Sequence, residues 1–116
     1  MLSRENRLKK NKEFNFIYKK GKFINSSNFT LIYVDTYLKR PKFGISVSKK
    51  IGNSVMRSRT KRVLSEIIRL IIDKLAVKNY VVVLKPDFSK HTYSELETEF
   101  LKTLKKAGLL KNESDV

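Results

Sequence analysis

The sequence predicts an α+β fold: a small mixed sheet of about four strands packed with three helices as a two-layer sandwich, in the order helix, strands, long helix, strand, helix. Apolar residues recur at helical spacing in three stretches, and runs rich in β-branched and aromatic residues separate them. At 116 residues with 41% hydrophobic and 10% aromatic content, the chain reads as one domain with a real core over residues 1–116 and a short tail from 109 to 116.

The first helix opens at Asn11, whose side chain can cap it; Phe14, Ile17 and Tyr18 share a face, and Gly21 can end it. Phe29 to Tyr37 and Phe43 to Ser48 read as an antiparallel pair of strands punctuated by Lys39-Arg40-Pro41. Asn53 or Ser54 caps a long helix whose core stripe is Val63, Leu64, Ile67, Ile68, Ile71, Ile72 and Leu75, with Lys78-Asn79 as its stop. Tyr80 to Leu84 is an uninterrupted apolar run before Pro86, which suits a central strand covered on both faces. Thr92-Tyr93-Ser94-Glu95 is a capping box, and Tyr93, Leu96, Phe100, Leu101 and Leu104 form the apolar face of a last helix ended by Gly108.

Charge is the second signal. The net charge is +15, and from Lys39 to Arg62 nine Lys or Arg stand without a single acid, whereas from Val63 onward nine basic residues are nearly cancelled by eight acidic ones. A compact state with such a segment repels itself unless a polyanion binds. Within it, Lys49, Lys50, Asn53, Arg57, Arg59, Lys61 and Arg62 surround a turn and the start of the long helix, outside its core stripe. Cations there oppose the helix dipole; bound phosphate would reverse that, held by N-terminal amides and arginine forks. Gly52 permits close backbone approach just before the helix, although an ordinary loop glycine explains it equally well.

Other classes fit poorly. The chain has no cysteine, which excludes disulfides, thiolate nucleophiles and zinc knuckles and suits a reducing interior. No secretory signal opens it, and its apolar runs are too short to span a bilayer, so the expected location is the cytoplasm. A membrane-surface helix is disfavoured because the basic end and apolar stripe of the long helix succeed each other along its axis. No catalytic residue and no metal site are expected: phosphodiester hydrolysis by side chains wants clustered carboxylates or paired histidines. His91 is the single histidine and reads as a solvent-facing or helix-entry residue. Glu95 and Glu99 are four apart, but capping and solvation account for them.

The segment Lys49-Lys50-Ile51-Gly52-Asn53-Ser54-Val55-Met56-Arg57-Ser58-Arg59-Thr60-Lys61-Arg62 closely resembles the arginine-rich signature of the protein subunit of bacterial ribonuclease P. Arg7-Leu8-Lys9-Lys10-Asn11 with Phe14 and Gly21 resembles that family's opening helix, and Phe43-Gly44-Ile45-Ser46-Val47-Ser48 its strand before the signature. Ser58 departs from the family's common asparagine, and Ser65 from a common basic residue.

The resemblance implies a protein cofactor of a catalytic RNA that removes the 5′ leader of precursor tRNA, with magnesium held by the RNA, and neither DNA nor membrane as partner. It implies two separate surfaces: the basic helix start for the catalytic RNA, and a cleft between the first helix and the sheet for the single-stranded leader. Lys10, Lys12, Phe14 and Tyr18 offer the cleft both charge and rings, although either ring suits core packing as well. It also implies a left-handed crossover around the long helix, against the usual rule. Of the alternatives, a ribosomal protein would share the charge, size and lack of catalytic groups and is disfavoured by the detailed signature, and an autonomous nuclease would show metal-dependent cleavage without RNA.

Overall fold

The computed structural model describes residues 7–8, 11–37 and 39–110. The element order is α1 (Asn11–Lys20), β1 (Lys22–Asn25), β2 (Phe29–Asp35), β3 (Lys42–Val47), α2 (Ser54–Ile71), β4 (Lys78–Leu84) and α3 (Tyr93–Lys106), with single 3-10 turns at Lys49–Ile51, Ile72–Lys74 and Pro86–Lys90. The sheet is mixed, in the order β1-β2-β4-β3. β4 is antiparallel to β2 and parallel to β3, so it separates the two strands expected to pair with each other. The reason is its apolarity: Tyr80, Val81, Val82 and Leu84 are all buried, and only a central position covers both faces.

Side chains alternate across the sheet and divide the core in two. Phe29, Leu31, Phe43, Tyr80, Val82 and Leu84 meet α2 and α3 in the main cluster through Leu64, Ile67, Ile68, Leu96, Phe100 and Leu104. Phe43 and Tyr80 stack there with centroids 4.5 Å apart. Ile32 and Val81 point the other way and meet Ile17 of α1 and Leu8. The helices therefore lie on both faces, and the expected two layers become three. α2 ends at Ile71, earlier than its apolar periodicity suggested, because a 3-10 turn follows and Lys78-Asn79 already belongs to β4.

Other boundaries follow local chemistry. Asn53 caps α2, its Oδ1 accepting from the Met56 amide at 2.9 Å, and Thr92 and Glu95 close the capping box of α3. Gly21 directs its amide to the Ile17 carbonyl (2.8 Å) at the end of α1. Gly108 stands at φ 72°, which favours glycine, and turns the chain so that the Leu109 carbonyl accepts from Ala76 at 2.8 Å. Leu109 is buried and Leu110 bridges Leu75, so the first two residues of the expected tail are docked; 111–116 lie outside the described residues.

The hand of the β3–α2–β4 crossover follows from two contacts. Gly44 faces α1, while the preceding Phe43 carbonyl points away from β4 to the Leu8 amide (2.9 Å). For L-residues this puts β4 to the right of an upward β3 seen from the α1 side. α2 is behind the sheet in that view, so the connection is left-handed, as the resemblance implied.

Candidate nucleic-acid interface

The basic segment leaves β3 at the edge of the sheet. Ser48 caps the 3-10 turn through the Lys50 amide (3.1 Å), which sets Lys49 and Lys50 in solvent. Gly52 follows at φ 148°, where a Cβ would also crowd Met56 at 3.1 Å, so this glycine is required by the turn into α2. Asn53 is committed through its carbonyl to the helix cap. Arg59, Lys61 and Arg62 are exposed, and none of the signature cations pairs with an acid among the described residues.

Arg57 differs from the expectation. It shares the helical phase of Leu64 and Ile71, is half-buried, and encloses its Nε without a hydrogen-bond partner. It therefore belongs to the edge of the core stripe as well as to the basic end.

On the α1 face, register aligns Ser46, Val83, Thr30 and Asn25 in one half-buried to exposed row, with Thr30 donating to Asn25 Oδ1 at 2.8 Å. α1 crosses the sheet beside this row. Its Phe14 and Tyr18 flank overlooks the row, while Phe16 and Lys20 lie on the other side.

The two rings have different surroundings. Phe14 is half-buried against Gly44, where an added Cβ would come 2.3 Å from the ring, so its inner face is packed. Tyr18 is 37% exposed, so part of its ring stays open to solvent on this flank. Lys12 is exposed but stands about 120° around α1 from Tyr18, so the two do not converge. Lys10 lies outside the described residues.

The two expected surfaces are joined. A groove of about 450 Å³ wraps the outer edge of β3, lined by Arg7, Phe14 and Gly44 on one side and by Ser58, Lys61, Arg62 and the buried Ser65 on the other. Arg7, Gly44, Ser46 and Thr30 were not among the site residues expected from sequence. An isolated glycine inside an apolar strand was the available signal for Gly44, since it marks close approach of another group.

The acids are used elsewhere. Glu99 accepts from the Asn28 amide (3.0 Å), from Asn28 Nδ2 (2.6 Å) and from Ser26 Oγ, holding the β1–β2 loop on α3. Partial burial raises its pKa, but these hydrogen bonds outweigh that and hold the carboxyl below its usual value. His91 is exposed, 3.7 Å from Glu95 Oε1. Among the described residues no three His, Cys, Asp or Glu group to hold a metal, and no helix is long and apolar enough to cross a membrane.

Fold and surface define a class: a compact basic α+β domain with one face of its sheet under two helices and the other under a single helix beside a cation-flanked groove. The family model described as Ribonuclease P matches residues 2–108, and the chain belongs to that family, as a bacterial protein component of this tRNA-processing nuclease. It is 36% identical to the ribonuclease P protein component of Alkaliphilus metalliredigens, over 90% of this chain and 96% of that one. It is 40% identical to that of Clostridium beijerinckii over 92% of each. The Staphylococcus aureus RNase P protein structure superposes with a TM-score of 0.85 at 29% identity, covering 91% of this chain and 98% of that one.

Proposed function

We propose that this chain is the protein cofactor of a ribonucleoprotein in the cytoplasm, binding a catalytic RNA through the basic end of α2 and the single-stranded 5′ leader of precursor tRNA along the Tyr18 flank of α1. The observation that carries this reading is the continuity of unpaired cations, Lys61 and Arg62, with a groove reaching the ring of Phe14. Phosphates bind the cations and release condensed counterions, while leader bases stack on an aromatic face next to polar strand residues. Catalysis then rests with the RNA and its magnesium ions; the protein orients the substrate and screens charge.

Reconstitution with a bacterial ribonuclease P RNA and precursor tRNA at low magnesium tests this. The protein should raise cleavage strongly there and little at high magnesium. Replacing Arg59 and Arg62 with Ala should weaken RNA binding and reduce the slope of log affinity against log salt by about 0.7 to 0.9 per lost phosphate contact. An unchanged slope and undiminished stimulation would reject the assignment of these cations. Cleavage by the protein without RNA would reject the division of labour.

A further inference from the structure

A second groove lies on the opposite flank of α2 from the one around β3 and shares only Arg59 with the basic surface. It holds about 320 Å³ between the first half of α2 and the entry to α3. Buried Phe88 and Leu96, with Val63, line its apolar interior, and Tyr93, 37% exposed, also borders it. Arg59 also lines it and has no acid partner among the described residues.

These features suit one kind of occupant. The volume is at the lower end for small-molecule sites and matches a flat heteroaromatic ring. An apolar interior with an exposed ring favours stacking, and a free guanidinium favours an attached phosphate. Charge gives little hold to a strand lying along the groove: at the α3 entry Glu95 stands beside His91, and the nearby Arg69 is already paired with Glu66. Arg59 is the one Lys or Arg in the lining, so a base that enters leaves its phosphate at that mouth.

Arg59 and Arg62 share the same two turns of α2, so an RNA held by one passes near the other. We infer that the α2–α3 groove seats a single unpaired base of the catalytic RNA, its phosphate on Arg59. This rests on the RNA-binding reading above.

The test uses the full chain and the catalytic RNA across a salt series, with chemical probing of unpaired bases in the complex. Ser89 also lines the groove, so Ser89→Trp fills it without changing charge, and Tyr93→Ala removes the exposed ring. Each should weaken binding by about 5- to 150-fold at an unchanged salt slope and leave reactive one nucleotide that the wild type protects. Tyr93→Phe should bind as the wild type does. If Ser89→Trp does not fold, Tyr93→Ala carries the test alone, because its side chain is partly exposed and lies at the first helical position. Wild-type binding by Tyr93→Ala while Arg62→Ala binds weakly would overturn the base site and leave the RNA-binding reading standing. Wild-type binding by Arg62→Ala as well would overturn both.

Discussion

The two faces of the sheet are built to different standards. Among the described residues, the main cluster under α2 and α3 gathers seventeen buried hydrophobic residues, whereas the cluster under α1 gathers Leu8, Ile17, Ile32 and Val81. The row Ser46, Val83, Thr30 and Asn25 beside α1 keeps polar groups at three of four positions. One face supplies stability and the other is left accessible at the level of packing, which is what a domain needs if it is to hold an extended ligand without unfolding.

The largest effect that can break this comparison is a core deletion. Ile67→Ala, on α2 and fully buried, should cost about 2–5 kcal/mol in chemical denaturation. Ile17→Ala removes the same atoms on the other face and should cost less, because one helix can settle onto the sheet more readily than two interlocked ones. Equal or reversed costs would mean that both faces carry the fold.

A smaller effect tests the joint between them. Gly44→Val places atoms where the Phe14 ring now lies, since even a Cβ would be 2.3 Å from it. Displacing the ring should cost about 1–3 kcal/mol. The near-ultraviolet signal of the stacked Phe43 and Tyr80 on the other face should persist. Loss of that signal would show the two clusters to be one.

Next is the β1–β2 loop, held on α3 at the border of the packed face. Glu99→Gln turns an amide NH2, itself a donor, toward donors that the carboxylate now satisfies and should cost about 1–3 kcal/mol. The folded carboxyl titrates below its ordinary value of 4.5, so its contribution is complete above that pH and disappears as pH falls through the lowered pKa. The difference in stability between wild type and Glu99→Gln should shrink with acidification below about 4.5; a difference constant down to the acid transition would rule out the ionised carboxylate as the cause.

Much of this was legible because local rules and burial agreed. The capping box of α3, the Asn53 cap and the central place of Tyr80 to Leu84 each follow from residues adjacent in sequence. What was not legible depended on distant partners. β1 is four residues of edge strand whose burial is incomplete, so it carried no periodic signal. The pairing of β2 with β4 is set by competition for the sheet centre, and no turn between neighbours encodes it. The candidate site divided in the same way: the cluster of cations was readable from charge alone, but the half-burial of Arg57 and the groove around β3 required knowing where Gly44 and Ser65 sit.

The finest test lies within α1, whose two flanks make the comparison in miniature. Tyr18 and Lys12 were both expected at the leader cleft, yet they stand about 120° apart on the helix. Tyr18→Ala should weaken holoenzyme affinity for precursor with a long leader by about 1 kcal/mol, at the low end for a stacked base because part of the ring is already packed. That deficit should vanish for a substrate without a leader. Lys12→Ala should instead give a deficit of at most a few tenths of a kcal/mol, independent of leader length, together with a small decrease in salt dependence, since an exposed cation on the outer flank acts only through the general field. Measuring both variants against leaders of increasing length, after matching their melting temperatures to wild type, separates contact from charge. If Lys12→Ala follows leader length and Tyr18→Ala does not, the leader runs along the Phe16 side of α1, and the open row beside Tyr18 is not its path.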